Sequence, residues 1–473
     1  MGMAFFICLM ANFVITMGFT LGAAKYFIFS KNLILISFFG FVFRILRKNK
    51  IGLILAITGS ILLSLQLFHM KIGQNLVPKK VKESIEQGEL LIETSSKNID
   101  AIQILLRKYK GQMDRAFHPR RTGTALDHFY LIDIPDDISE SKEELLNTLQ
   151  DKGLINYGEY NDRIEVHPLE GQSKDIPVPS VAVNDPLIKD QWAIDLLHMN
   201  DWYKTIIGHQ NDVIRMVKVA VLDTGIDGAH EDLNQMLDKK DREGKDPVGH
   251  GTHCAGIIAA ETNNKTGVAS PAFYNNLIQV MPVRVLNRLG FGTQAQIIKG
   301  MIKAVDDGAG VLSMSLGGFS DTPKQKAYLA AVQYAHDQNA VVVTSAGNSS
   351  SSARGFTPAN VPGVICVTAL NEKGQLAGFS NYLDGIEWGI AAPGVNIMST
   401  YPGNQYKSLS GTSMAAPFVS STVGIIKAFA PDLSPEEIYQ ILLDTSVPTE
   451  DSERSGGLIQ PAEALIMALS RDI

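Results

Sequence analysis

Five short, almost continuously apolar runs after Asn184 constrain most strongly what this chain can fold into. They are VKVAVLD, IQVMPVRVL, GVLSMSL, AVVVTSA and GVICVTAL. Strands without polar alternation are typical of sheets that are buried on both faces. The segments TQAQIIKGMIKAVDDG and TPKQKAYLAAVQYAHDQ between them have helical spacing. The pattern predicts an α/β fold in which helices flank a parallel sheet, with a site at the carboxyl ends of the strands.

Three motifs place polar side chains where such strands and helices begin and end. Asp223 ends VKVAVLD, while His250 and Ser413 each open an apolar helix, in GHGTHCAGIIAA and GTSMAAPFVSSTVGIIKAFA. A serine hydroxyl needs an adjacent base to act as a nucleophile, and histidine, with a pKa of about 6.5, suits that role. A buried carboxylate fixes the tautomer of the imidazole. The residue types and their order, Asp, His, Ser, are those of a catalytic triad.

An oxyanion also needs hydrogen-bond donors. A serine at a helix N-terminus aims its own N–H and the positive end of the helix dipole at a developing oxyanion. Asn348, which follows AVVVTSA, offers a side-chain amide as a second donor. Taken alone, Asn348 is an ordinary turn residue.

Each of these residues also has a simpler interpretation. Ser413 alone is consistent with a helix cap, a position that serine favours. Asp227 competes with Asp223, which ends its strand directly. His250 and His253 have a spacing that metal ligands use, but no third ligand stands nearby as it does in HExxH.

Together and in this order, DTGID, HGTHCAG, SAGN and GTSMAAP resemble the motifs of the subtilisin-like serine proteases, the subtilases. The resemblance covers residues 184–473. It implies an endopeptidase in which Asp223, His250 and Ser413 form the triad and Asn348 is an oxyanion donor. Polypeptides are the implied substrates, and the chemistry needs no cofactor. A non-catalytic, membrane-tethered binding or scaffold protein on the same fold is the alternative.

The same resemblance implies further binding residues. One wall of the substrate cleft is an edge strand that pairs with extended substrate by strand addition, and the other wall closes the primary pocket. The implied wall residues are Ser315, Leu316 and Gly317 on the first side and Ser345, Ala346 and Gly347 on the second. A structural Ca²⁺ is implied as well, since this ion takes oxygen ligands. Its implied ligands are Gln191, Asp232 and Asn263.

Residues 79–168 precede the protease-like region and read as a small α+β unit. GELLIETS and HFYLIDIP are typical of strands, IDAIQILLRKY and SKEELLNTLQDKG of helices, and INYGEYNDRIEVHP of a hairpin-like stretch. The order β-α-β-α-β suggests a ferredoxin-like fold. This unit resembles the inhibitory propeptide of the subtilases. Residues 169–183 carry two prolines and no periodicity, so we expect an exposed linker there and self-cleavage between Val166 and Asp185.

Residues 1–70 have the composition of a membrane segment. Residues 3–24 and 51–68 are long enough to span a bilayer or nearly so, and 33–46 is shorter. The cluster RILRKNK stays cytoplasmic by the positive-inside rule, so the chain after Phe68 is expected outside. We favour an uncleaved anchor; a cleaved signal peptide within 47–68 is the alternative. The expected location is membrane-anchored with an extracytoplasmic protease domain, or secreted after processing.

Charge and cysteine content exclude other classes. The first 80 residues hold nine Lys and Arg and no acidic residue, so the rest has 42 − 9 = 33 basic against 49 acidic residues. An acidic body lacks the basic face that nucleic-acid binding needs. Three cysteines are too few for a disulfide framework, and Cys254 reads as a small buried hydrophobe.

Overall fold

The structure is a computed structural model that describes residues 88–135, 142–166, 168–171, 183–242, 244–273, 277–320 and 325–471. The predicted membrane region, residues 1–70, lies outside these residues, as does most of the predicted linker. Within the described part of the chain, no helix is long and apolar enough to cross a bilayer.

Residues 88–160 form an antiparallel sheet covered by two helices. The elements are β1 (Leu90–Glu93), α1 (Ile99–Leu106), β2 (Gln112–Arg115), β3 (Phe129–Asp133), α2 (Lys142–Asp151) and β4 (Tyr157–Tyr160). The strand order is β2-β3-β1-β4, and each neighbouring pair is antiparallel. This β-α-β-β-α-β arrangement is ferredoxin-like. Its own core includes Leu90, Ile102 and Leu145.

The sequence prediction for this unit lacked β2. Gln112, Asp114 and Arg115 of that strand are exposed, and β2 lies at the edge of the sheet. An edge strand with exposed polar side chains carries no apolar alternation, so periodicity did not reveal it.

The hairpin expected near Tyr157 was also wrong. β4 ends at Tyr160, and the next strand, β5 (Arg163–Glu165), pairs with β9 (Phe291–Thr293) instead of folding back on β4. Arg163 stacks on the Phe291 ring at 3.6 Å, and Ile164 is fully buried in a core shared with the protease-like region. These contacts favour pairing across the two parts of the chain.

A six-stranded parallel sheet forms the centre of the second part. Its strands are β7 (Val217–Asp223), β8 (Ile278–Arg284), β10 (Ala309–Met314), β12 (Val341–Ser345), β14 (Ile365–Leu370) and β15 (Gly389–Pro393). The order is β15-β14-β12-β10-β7-β8, and every neighbouring pair is parallel. Five of these strands match the five apolar runs. The sixth, GIAAP, is short and rich in small residues, and the sequence did not signal it.

Helices cover both faces of this sheet. They are α3 (Ala193–Leu196), α4 (Met199–Gly208), α5 (His250–Ala259), α6 (Gln294–Asp306), α7 (Lys326–His336), α8 (Thr412–Phe429), α9 (Pro435–Thr445), α10 (Ser452–Ser455) and α11 (Pro461–Arg471). All residues of α8 are buried, as its apolar sequence predicts. A helix packed on every side is a rigid platform for the residue that opens it.

Besides β1–β5 and β9, five short strands lie outside the parallel sheet. They are β6 (Leu169–Glu170), β11 (Gly318–Phe319), β13 (Phe356–Thr357), β16 (Ile397–Tyr401) and β17 (Gln405–Ser410). β17 pairs with both β6 and β16. β17 leads directly into α8, so its edge lies beside the start of that helix.

Candidate active site

Asp223 and His250 meet at the carboxyl edge of the parallel sheet. Asp223 is the last residue of β7 and His250 the first residue of α5, and both side chains are almost completely buried. His250 Nδ1 lies 2.8 Å from each carboxylate oxygen of Asp223. A carboxylate at this place holds the imidazole with its other nitrogen, Nε2, directed away from Asp223.

Asp227 and His253, the two residues with rival interpretations, bond to other groups. Asp227 accepts hydrogen bonds from the N–H groups of Gly403 at 2.7 Å and Ala229 at 3.3 Å. His253 Nε2 lies 2.9 Å from the carbonyl oxygen of Lys407 and 3.1 Å from that of Ile397. Burial lowers the pKa of His253 to about 3, so this histidine is neutral and supports the packing of α5.

Ser413 is the second residue of α8 and is almost completely buried. Its hydroxyl donates to the carbonyl oxygen of Ser315 at 3.2 Å, and the hydroxyl of Ser315 donates to the Ser413 carbonyl oxygen at 2.8 Å. His250 Nε2 is buried without a hydrogen-bond partner among the described residues. The serine hydroxyl is therefore turned to the Ser315 carbonyl, and no described residue engages His250 Nε2.

Cys254 joins the two helices that carry His250 and Ser413. Its Sγ donates to the Ser413 carbonyl oxygen at 3.5 Å and lies 3.9 Å from His250 Nδ1. Burial raises the pKa of the Cys254 thiol, so the thiol is neutral and adds no charge. Burial lowers the pKa of His250, but the charge of Asp223, its hydrogen bond to the imidazole and the contact with Cys254 together outweigh burial and hold that pKa well above 6.5.

Asp223, His250 and Cys254 also lie close enough to one another to share a metal ion. Within the described residues, they are the one group of three His, Cys, Asp or Glu side chains that does. The hydrogen bonds of the Asp223–His250 pair account for this proximity without a metal. His253 is not part of this group.

The Asn348 side chain is tied to the start of α8. Its Oδ1 accepts hydrogen bonds from the N–H and the hydroxyl of Thr412, both at 2.9 Å. The Thr412 hydroxyl in turn accepts the N–H of Gly347 at 3.0 Å. Because Oδ1 is held by Thr412, the orientation of the amide is fixed and Nδ2 is on its other side.

The predicted wall residues surround one cavity of about 150 Å³ next to Ser413. Its lining includes Ser315, Leu316, Gly317, Ser345, Ala346, Gly347 and Asn348. The structure thus brings both predicted walls, the candidate nucleophile and the candidate oxyanion donor together. Phe356 and Thr357 also line this cavity, and no motif in the sequence pointed to them.

A segment of the chain itself lies along this cleft. β5 pairs with β9 on one side, and Glu165 exchanges two backbone hydrogen bonds with Gly317 on the other, at 3.1 and 3.3 Å. Further along, Leu169 and Glu170 pair with Ser410 and Leu409 of β17. The segment therefore pairs with the chain at Gly317 and again at β17, the strand that precedes α8.

The residues considered for calcium lie around the loop 262–268. Asp232 accepts hydrogen bonds from Asn264 Nδ2 at 2.8 Å and from the Val268 N–H at 2.9 Å. Asp185, which no sequence motif singled out, accepts the N–H groups of Asn263 and Asn264. The Gln191 amide, by contrast, both donates to and accepts from the backbone of Ala269, so both of its ends are engaged.

Comparison with known proteins places this geometry in context. Residues 215–459, just over half of the chain, match the model of the Subtilase family. Thermitase of Thermoactinomyces vulgaris is 40% identical over 215 residues, which are 44% of this chain and 74% of thermitase. Subtilisin DY of Bacillus licheniformis is 39% identical over 251 residues, 51% of this chain and 88% of that protein.

Two further proteins extend the comparison. A thermophilic serine proteinase of Bacillus sp. (strain AK1) is 42% identical over 215 residues, 44% of this chain, and the chain spans about half (51%) of its length. The solved structure of a protease from Pseudoalteromonas arctica superposes with a TM-score of 0.53 at 30% identity. It covers 61% of this chain and all of that structure.

Proposed function

The chain belongs to the subtilase family, the subtilisin-like serine endopeptidases, and from that premise we propose that Asp223, His250 and Ser413 act as its catalytic triad. The observation that carries the proposal is the buried contact of His250 Nδ1 with Asp223 at 2.8 Å, which Cys254 joins to the backbone of Ser413. A neutral imidazole held in this tautomer presents Nε2 as a general base. The substrates are polypeptides.

The reaction begins when the Ser413 hydroxyl turns from the Ser315 carbonyl to His250 Nε2. His250 takes the proton as Oγ attacks the peptide carbonyl, and the oxyanion receives hydrogen bonds from the Asn348 amide and the Ser413 N–H. The protonated His250 then gives its proton to the leaving amine, which leaves an acyl-enzyme. Water, deprotonated by His250, attacks the ester and restores the Ser413 hydroxyl.

Activity is expected to rise with pH with a midpoint above 6.5. The base must be unprotonated, and the Asp223 charge raises the pKa of His250 well above 6.5, so activity is lost as pH falls through that raised pKa. The measurement is kcat/KM for a short peptide between pH 5 and 10. Asp201→Asn, which changes an exposed carboxylate on α4, is the control, and its midpoint should not move. A wild-type midpoint below 6.5 contradicts this account of the base.

Residues 163–170 support a proposal of self-inhibition. Pairing with Gly317 and β9 is the kind of strand addition expected for a substrate, so this segment and a substrate compete for the same backbone groups. We propose that the ferredoxin-like unit is an inhibitory propeptide and that the enzyme cuts itself between Val166 and Asp185. For location, we propose a membrane-anchored enzyme with its protease domain outside the cytoplasm, or a secreted one after processing.

A structural calcium ion is proposed at the loop 262–268, held by Asp185 and Asp232. Burial, together with the nearby charges of Asp185 and Glu261, raises the pKa of Asp232 to about 7, and burial also raises the pKa of Asp185. No salt bridge to a basic side chain is found for either carboxylate in the described residues. Clustered carboxylates of this kind suit a hard cation. Gln191 and Asn263 would support the loop through their backbone contacts.

Chelation is therefore expected to lower the Tm, and by more at higher pH. Without a cation, the folded protein loses stability as pH rises from about 4 to about 7. The reason is that Asp232 binds its proton more tightly in the folded state than in the unfolded state. The cation offsets this cost above pH 7. At calcium near 100-fold over Kd the difference is roughly 3 kcal/mol, or about 4–5 °C for a chain of this size.

The measurement is thermal unfolding of the full Ser413→Ala chain, which cannot digest itself, with calcium or with chelator at pH 5 and 8. Asp232→Asn should remove the calcium response, and Asp201→Asn, which changes an exposed carboxylate on α4, should keep it. An equal Tm with and without calcium at pH 8 contradicts the proposal.

A further inference from the structure

The buried carboxylate of Asp246 lies at the centre of a hydrogen-bond network that the triad chemistry does not use. Its Oδ1 accepts from the Thr224 hydroxyl at 2.8 Å and from the N–H groups of Val248 and Gly249 at 3.1 and 2.8 Å. Its Oδ2 accepts from the N–H and the hydroxyl of Thr252, both at 2.9 Å. Among the described residues, no basic side chain pairs with this carboxylate.

The network joins the two elements that carry Asp223 and His250. Thr224 follows Asp223 in the chain, and its N–H donates to Asp223 Oδ1 at 2.7 Å. Its hydroxyl oxygen also accepts the N–H of Gly251, at 3.1 Å. Thr252 lies two residues beyond His250 in α5. Asp246 therefore holds the end of β7 and the start of α5 together, on either side of the Asp223–His250 contact.

The start of α5 depends on this carboxylate. Gly249, the residue before the helix, has no side chain with which to cap it and a φ of +92°. The first N–H groups of a helix need outside acceptors, and Asp246 supplies them from the preceding loop. The backbone position of His250 is therefore set by a side chain that contacts neither the histidine nor a substrate.

We propose that Asp246 is a positioning residue for the triad: through Thr224 and Thr252 it keeps His250 Nδ1 at hydrogen-bond distance from Asp223. The inference rests on the proposed protease function. Catalysis depends on sub-ångström placement, and a shift of about 1 Å can cost about 10²-fold in rate. A simple helix cap would instead affect folding and leave the turnover of the folded enzyme unchanged.

Two substitutions separate these roles. In wild type, each carboxylate oxygen of Asp246 accepts at least one backbone N–H. In Asp246→Asn, the NH₂ group therefore faces a backbone N–H in either orientation of the amide. Thr224→Val removes the bond from β7 to Asp246 together with the acceptor of the Gly251 N–H, keeps the side-chain shape and changes no charge. Asp227→Asn is the matched control in the same loop: its carboxylate accepts from Ala229 and Gly403 and from no residue of α5, and its backbone N–H, which donates to Thr252 Oγ1 at 3.0 Å, is unchanged by the substitution.

The full chain of each variant is assayed for kcat and KM across pH and for thermal unfolding. We expect Asp246→Asn and Thr224→Val each to lower kcat by about 10- to 100-fold with KM within about two-fold. The acid limb should move to lower pH, because a looser contact weakens the effect of Asp223 on the pKa of His250. The double variant should lose little more than Asp246→Asn alone, since both act through one contact. Asp227→Asn should match wild type.

A folded Thr224→Val enzyme with wild-type kcat and an unmoved acid limb would overturn the proposal, even if Asp246→Asn does not fold. So would an Asp246→Asn enzyme that loses only Tm. A second readout is independent of activity: the downfield proton NMR signal of His250 Nδ1–H, expected to move or broaden in Thr224→Val and to stay in Asp227→Asn. If wild type is inert, the proposed function fails, and this signal still decides the positioning role.

Discussion

Ser413→Ala is expected to give a chain that folds, stays uncut and hydrolyses no polypeptide. The substitution removes one hydroxyl whose hydrogen bond goes to the Ser315 carbonyl, and alanine is favoured in a helix, so the Tm should change little. Asp223, His250 and the proposed oxyanion donors remain, but the proposed nucleophile does not. In subtilisin, of the same family, loss of this serine lowers kcat by about 10⁶, and we expect a fall of that order.

The full chain is followed by mass spectrometry while hydrolysis of an unfolded protein is measured. Ser420→Ala is the matched control, because it lies on the same helix and its hydroxyl bonds to Ser313 and Ala416 away from the cleft. That variant should cut itself and its substrate as wild type does. A Ser413→Ala chain that still shortens contradicts self-cleavage. Folded wild type that is inert and whole favours the non-catalytic scaffold.

The parallel sheet could be predicted because its strands carry a strong local signal. Runs such as VKVAVLD need no partner information, since burial on both faces makes every position apolar. The meeting of Asp223 and His250 follows from the same rule, because parallel strands end at one edge of the sheet. The motifs then assigned chemistry to residues that the topology had already placed near one another.

Features that depend on distant contacts could not be predicted in this way. β5 pairs with β9, more than a hundred residues further along the chain, and its three residues contain no pattern that names this partner. The roles of Thr412 in orienting Asn348 and of Asp246 in linking Thr224 to Thr252 have the same origin. A threonine or aspartate in a loop has many local uses, so only the folded geometry selects one.

Asn348→Ala is expected to lower kcat by about 10²–10³ with KM close to wild type. The Asn348 amide is oriented by two hydrogen bonds from Thr412 at 2.9 Å and lines the cavity beside Ser413. A donor aimed at a charge that develops only in the transition state contributes to kcat and hardly to substrate binding. The range is that found for removal of the corresponding kind of donor in subtilisin. Steady-state kinetics on a peptide substrate measure it.

Truncation to alanine also leaves the N–H of Thr412 without its acceptor, so a lower kcat could arise from a displaced helix start. Asn348→Asp separates the two causes, because the carboxylate still accepts from Thr412 but has no N–H to donate. If donation is the role, Asn348→Asp loses at least as much kcat as Asn348→Ala, since its charge also repels the oxyanion. If helix position is the role, Asn348→Asp keeps wild-type kcat, and Asn348 is then a support for α8 and no oxyanion donor.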